Sequence, residues 1–392
     1  MVRKQFSSLL KTIPARFSHS ASSEPTEELV NAPPGVLNSV NEQVAQLLTP
    51  QPYQAAIQAS LTKALQDWQA NPEVENNTLV VLGRPVEEIG PILKASVHQD
   101  LPDCEVRFFL GGYHRPPDPL TVPQHLKREL EPDDEVPSEI ATPVTQTDLD
   151  RHVPNIMVVS SLEPCFLRCI EGWEGIEYLQ TLSAQDTSRF WVFGCNHWSW
   201  SFLERVCQIS AYFEQTISLP KLSGAELKTW LAPLLETNLE TQATGPMVQF
   251  SEANDSYWDS LASTADGIAS TAAQLWLKSL QIKADVLTDE GAIANETALI
   301  ELLPTKPTLP GLMTLEAMDR YLLHSLLIHR EMTRSHLAIS LGEAERNIRS
   351  RLQVLRREGI IRQRGRRLIV HPAHYPKLYK ELGNNNFLIG KA

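Results

Sequence analysis

Two rhythms of apolar and polar positions alternate along the chain. Between residues 39 and 70, Val44, Leu47 and Leu48 form one apolar patch. Ala56, Ile57, Leu61, Ala64, Leu65 and Trp68 then recur at helical spacing, with Pro50 and Pro52 dividing the two pieces. Asn76-Asn77 makes a turn, and Thr78–Leu82 is a short, wholly apolar run of the kind carried by a strand covered on both faces. Gly83-Arg84-Pro85 turns sharply into a predicted helix over Val86–Val97, with Ile89, Ile92, Leu93 and Val97 inward. Further strands are predicted at Glu105–Leu110, Ile156–Val159, Phe190–Gly194 and Gln215–Leu219, with helices at Trp173–Leu182 and Ser199–Ser210. Strands alternating with helices predict an α/β domain around a parallel sheet.

After residue 220 the pattern turns helical. Helices are predicted at Ser223–Leu235, capped by Ser223, and at Tyr257–Ala265 and Ile268–Leu280. Residues 281–312, with Pro304, Pro307 and Pro310, read as a mixed linker. Residues 112–154 are Pro-rich and read as an inserted mobile loop; its acidic cluster (Glu129, Glu131, Asp133, Asp134, Glu135) is solvated rather than metal-binding. The last module begins near Leu315. A helix over Leu315–His329 carries Met318, Leu322, Leu326 and Ile328, and Glu331-Met332 turns the chain. A short helix through Leu337, Ala338 and Leu341 ends at Gly342. A longer one, Glu343–Glu358, sets Ile348, Leu352 and Leu355 inward and stops at Gly359. Ile360–Arg364 and Arg367–Val370 form a hairpin around Gly365-Arg366.

Composition removes several classes. The 392 residues are 42 % hydrophobic and 21 % charged, ordinary for a folded protein. No apolar run is long enough for a membrane-spanning helix. Five scattered Cys (104, 165, 169, 195, 207) lack paired CxxC spacing, so buried free thiols in a reducing, cytoplasmic setting are expected, with no metal site. The first 22 residues hold Arg3, Lys4, Lys11 and Arg16 before any acid; a plain basic tail is preferred over a targeting segment. Charge is uneven. Residues 320–392 hold 15 basic and 5 acidic residues, a net of +10, whereas the rest holds 20 and 42, a net of −22. An acidic body with a basic C-terminal module suits a nucleic-acid binder.

The predicted helix, short helix, longer helix and hairpin make a winged helix. Glu343–Ile361 (EAERNIRSRLQVLRREGII) resembles the recognition helix and first wing strand of MarR-like bacterial regulators. A recognition helix needs long hydrogen-bonding side chains facing outward from its first half. Arg346, Asn347, Arg349 and Ser350 meet that need, Arg356 and Arg357 suit phosphates, and Arg362, Arg364, Arg366 and Arg367 arm the wing.

The order of features over residues 75–390 resembles AAA+ and STAND-type P-loop ATPases, in which helices forming a lid and then a winged helix follow the nucleotide domain. That likeness implies domains at 37–222, 223–311 and 312–392, after a tail and linker over 1–36. It places a degenerate nucleotide site at Gly83, Arg84, Ser160, Ser161 and Asn196. A phosphate-binding loop needs G-x-x-x-x-G-K-[ST]. The matching turn reads Gly83-Arg84-Pro85-Val86-Glu87-Glu88, with two carboxylates and no Lys. Ser160 and Ser161 stand where metal-holding acids belong, and Asp266-Gly267-Ile268-Ala269 lacks the lid arginine; only Asn196 keeps the sensor-strand residue. The residues therefore predict no enzyme and no cofactor, but a regulator or adaptor that binds DNA through its winged helix. Two alternatives stand beside it: an interaction scaffold in a larger assembly, and a nucleotide-dependent switch. No motif names a protein partner, and a homo-oligomer is left open. The Asn196-His197-Trp198-Ser199-Trp200 cluster is expected to pack its Trp residues under the lid. His152 and His197 are not expected to form a hydrolase triad, since no G-x-S-x-G turn exists.

Overall fold

A computed structural model of the chain describes residues 28–72, 76–97, 104–109, 114–130, 155–236, 239–240, 247–284 and 299–390. The basic tail, His152 and Glu131, Asp133, Asp134 and Glu135 of the acidic cluster lie outside them. The chain starts with β1 (Leu29–Asn31), α1 (Pro34–Val44) and α2 (Gln51–Ala70). Alternation then follows: β2 (Thr78–Gly83), α3 (Ile89–Val97), β3 (Glu105–Phe109), α4 (Val122–Leu130), β4 (Asn155–Val159), α5 (Glu174–Gln185), β5 (Arg189–Asn196), α6 (His197–Cys207) and β6 (Thr216–Ser218). These strands form one parallel sheet in the order β3-β4-β5-β2-β6. Register is set at the strand entry, where the Asn77 amide donates to the carbonyls of Ser183, Asp186 and Arg189.

Side chains alternate across a strand, so the sheet has two apolar faces. Leu79, Val81, Ile156, Val158, Phe190 and Val192 share one core with α2 and α3. Val80, Leu82, Met157, Val159, Trp191 and Phe193 share the other with α4, α5 and α6. The helix α4 corrects the expectation of one long loop over 112–154: Val122, Leu126 and Leu130 recur every fourth residue and are buried.

The chain continues through α7 (Gly224–Leu235), β7 (Leu239–Glu240), β8 (Met247–Phe250), α8 (Asp255–Ala265), α9 (Ala269–Ser279), β9 (Leu280–Lys283) and β10 (Leu299–Pro304). A reciprocal box of Ser223 and Glu226 caps α7. Five further strands build a second sheet, ordered β1-β9-β10-β8-β7. The described parts of the two expected linkers thus hold strands. Leu29–Asn31 pairs with Gln281–Lys283, and Leu303 and Pro304 pair with Gln281 and Leu280.

The last module is α10 (Ala317–His329), β11 (Glu331–Thr333), α11 (Arg334–Leu341), α12 (Glu345–Arg357), β12 (Ile361–Arg364), β13 (Arg367–Val370) and α13 (Tyr375–Asn384). Glu331-Met332, expected as a turn, belongs to a third strand in a sheet ordered β11-β13-β12. This winged helix shares the second core of the parallel sheet, which runs without a break into Leu322, Leu326, Ile348 and Leu378. Polar contacts follow the same seam: the Asn196 amide donates to the Ile328 carbonyl at 2.9 Å, and the Trp198 indole to the Tyr375 hydroxyl at 3.2 Å. Trp198 therefore packs under α13 and beside His324 and Tyr379, not under the lid helices as expected.

Candidate nucleic-acid interface

Local sequence builds α12 and turns one face outward. Gly342, at φ 66°, ends α11 in a conformation that side chains avoid, and α12 starts three residues later. Ile348, Leu352 and Leu355 fall on one stripe and are buried. Arg351 clamps the helix: its Nε donates to Asp319 at 2.8 Å and its Nη1 to Glu316 at 2.8 Å. Asp319 is wholly buried and also accepts the Glu316 backbone N–H at 2.9 Å, so one carboxylate caps α10 and fixes α12. Sequence reading missed this pair, although Arg351 lies only three residues from Ile348 and one from Leu352.

Arg346, Asn347, Arg349, Ser350, Arg356 and Arg357 all lie on the exposed side of α12. Asn347 donates to Glu343 at 2.9 Å, and Arg357 lies 3.4 Å from Glu358. Among the described residues, no ion pair or hydrogen bond of a side chain engages Arg346, Arg349 or Arg356. This is an unshielded cationic face.

The wing is arranged differently. Gly365, at φ 60°, takes the first central position of its two-residue loop, which suits a tight hairpin. Arg366 at the tip is exposed and, among the described residues, unpaired. Its neighbours are not free. Arg362, expected to face DNA, is turned inward and bonds to Gln274 of α9 and to His371. Arg364 reaches across to Glu88 at 3.0 Å. Arg367 pairs with Glu331 and lies 3.2 Å from both ring nitrogens of His114. Gln274, Glu88 and His114 come from segments far away in sequence, which single-element periodicity does not reveal.

At the carboxyl edge of the parallel sheet, the wing closes a cleft of about 510 Å³ lined by Glu88, Ser160, Ser161, Arg330, Arg364 and Arg367, among others. Of the five residues assigned to a degenerate nucleotide site, only Ser160 and Ser161 face it. Gly83 is buried; a Cβ there would fall 2.0 Å from the Ile89 side chain, so its lack of one permits close packing of β2 on α3. Arg84 is 9 % exposed, and its backbone N–H donates to Glu87 at 2.9 Å. Glu87 is buried and takes a 2.5 Å hydrogen bond from Tyr53; burial raises its carboxyl above the ordinary value against those two donors. Asn196 is wholly buried and saturated. Its Oδ1 caps α6 by accepting from Trp198 and Ser199, and its Nδ2 donates to Glu163, Ser199 and Ile328. It is thus a structural hub rather than a lining residue. His197, next to it, is kept neutral by burial and by Arg84, its pKa down to about 4. Among the described residues no cluster of His, Cys, Asp and Glu could hold a metal, none of the five cysteines is in a disulfide, and no helix is long and apolar enough to cross a membrane.

No protein family and no curated protein matches the sequence. Solved structures do. The chain is similar to Cdc6p from Pyrobaculum aerophilum, at 13 % identity and a TM-score of 0.34, over 91 % of this chain and 99 % of that one. It is similar to the ORC1 protein of Aeropyrum pernix in complex with DNA, at 12 % and 0.33, over 87 % and 94 %. It is also similar to the Walker-type ATPase of Pyrococcus abyssi, at 12 % and 0.35, over 85 % and 96 %. The architecture agrees with the expected fold class: a parallel sheet between helices, further helices, and a winged helix at the end. One expectation is corrected. The missing lysine at the Gly83–Glu88 turn predicts no enzyme, but the matching structures include a protein named as an ATPase, and that prediction is withdrawn.

Proposed function

We propose that this protein is a DNA-associated protein of AAA+-like build that grips duplex DNA through α12 and the tip of its wing. One observation carries the reading: α12 buries Ile348, Leu352 and Leu355 and leaves Arg346, Asn347, Arg349, Ser350, Arg356 and Arg357 on one exposed face. Arg pairs with guanine edges and with phosphates, Asn with adenine, and a helix of this width enters a major groove. The module's net charge of +10 adds long-range attraction to the duplex, against the net of −22 on the rest of the chain.

Arg346, Arg349, Arg356, Arg357 and Arg366 offer roughly five phosphate contacts, which sets the slope of log K against log salt near −4.5. Fluorescence anisotropy of the full chain with a labelled duplex, between 50 and 200 mM salt, measures that slope. Binding at 50 mM with such a slope, weakened by Arg346→Ala together with Arg349→Ala, is the expected result. No affinity at 50 mM salt overturns the reading.

A further inference from the structure

The wing and the body meet around a single carboxylate. Glu88 ends the turn that follows β2 and leads into α3. Its Oε1 lies 3.0 Å from a guanidinium nitrogen of Arg364 on the wing and 3.0 Å from one of Arg330, at the end of α10. Burial opposes ionisation of Glu88, but the two guanidinium groups outweigh it and hold the carboxyl below its ordinary value. Arg330 itself is held at φ 59° and ψ −51°, a backbone region that non-glycine residues avoid and that persists only where surrounding contacts impose it. Arg367 pairs with Glu331 within the same small sheet and meets the body at His114, 3.2 Å away.

A carboxylate and a phosphate diester offer arginine the same thing: an anionic oxygen acceptor at hydrogen-bond distance. We propose that Glu88 is an internal substitute for a backbone phosphate, latching the wing onto the body, and that DNA takes the wing by exchanging a phosphate for Glu88 on Arg364. The inference rests on the DNA-binding reading above and adds regulation to it. The face of α12 is open at all times, whereas the Nη1 of Arg364 is held by Glu88 until that contact breaks. The turn that carries Glu88 lies at the carboxyl edge of the parallel sheet, where open α/β sheets take their ligands. Any ligand or partner that draws Glu88 away would then release the wing.

The test compares wild type, Glu88→Gln, Arg364→Ala and the double variant, all as full chains. Glutamine keeps the shape of Glu88 and removes the charge, so Arg364 is freed before DNA arrives. Salt titration with a labelled duplex should steepen by about one unit for Glu88→Gln, which makes its affinity gain about three- to fourfold larger at 50 mM than at 200 mM salt. In the double variant that gain should vanish, because the freed group is absent. Limited trypsin digestion without DNA gives an independent reading: cleavage after Arg364 and Arg366 should accelerate several-fold in Glu88→Gln. If Glu88→Gln melts far below wild type, Arg364→Ala opens the same contact from the exposed side, and cleavage after Arg366 then carries the test. Unchanged trypsin cleavage with an unchanged salt slope overturns the latch. If no variant binds DNA but cleavage accelerates, the latch stands and the DNA-binding reading fails.

Discussion

Five arginines stand on α12 and four on the wing, yet most of the two sets are in opposite states. On α12, Arg346, Arg349 and Arg356 point to solvent with no partner among the described residues. On the wing, Arg362, Arg364 and Arg367 are tied to Gln274 and His371, to Glu88, and to Glu331 and His114. A basic residue in a winged helix is therefore not by itself a free cation. Where it points depends on what the rest of the chain places opposite it. The body meets the wing and leaves the outer face of α12 uncovered.

Arg351 breaks the comparison most strongly, because it lies on α12 but behaves like a wing arginine. Its partner Asp319 is wholly buried. Arg351→Ala leaves that carboxylate without its cation and should cost about 3 kcal/mol of folding stability, read by chemical denaturation. Arg346→Ala or Arg349→Ala, a few residues away, should leave the denaturation midpoint unchanged. If Arg351→Ala is neutral for stability, the division into pinned and free arginines fails on its clearest member.

The free set is tested through binding. Arg346→Ala with Arg349→Ala should weaken duplex affinity by about 2–3 kcal/mol, with Arg349 acting mainly on a preferred sequence. Equal losses from any pair of basic residues in the module would show general stickiness and remove the distinction.

Much of this organisation was legible from the residues. The runs Thr78–Leu82, Ile156–Val159 and Phe190–Gly194 are continuous and apolar, and all three are strands of the parallel sheet. The stripe Ile348, Leu352, Leu355 likewise predicts both the helix and its exposed face. The second sheet was not legible. Its strands are two to six residues long, and β1 pairs with β9 from the far end of the body. Such pairing leaves no local pattern. Glu88 was visible only as a carboxylate in the wrong place for a phosphate, since its partner Arg364 is 276 residues away. Asn196 matched a sensor residue by position, whereas the structure spends all its hydrogen-bonding groups on α6, Glu163 and Ile328.

The inward side of the wing responds to pH. Burial, then Arg362, holds His371 neutral, its pKa down to about 2. In the unfolded chain a His takes a proton near pH 6.5. Its contribution is therefore present in full above that value and is lost as pH falls toward the folded one, because the unfolded state then binds the extra proton. Between pH 6.5 and 5 the loss is about 2 kcal/mol from this group. Denaturation midpoints at the two pH values measure it, and His371→Gln should shallow the dependence. His324, His197 and His374, each lowered to about 4 chiefly by burial, and His329 and His336, also lowered by burial, act in the same direction.

The smallest effect belongs to the wing pair itself, and it marks the boundary of the comparison. Arg364 and Glu88 are 64 % and 45 % exposed, so their ion pair is open to water and salt. Pairs of that kind contribute about 0.2–1 kcal/mol. Arg364→Ala should therefore lower folding stability by less than about 1 kcal/mol. Its effect on DNA affinity should be small as well, because a phosphate gained by Arg364 is offset by the Glu88 contact it gives up. The same substitution made in the Glu88→Gln background has no such offset, and its cost to affinity should rise to that of a free phosphate contact. A loss from Arg364→Ala in wild type as large as that from Arg349→Ala would mean that the wing is already free in the native protein, and the two sets of arginines would then be one.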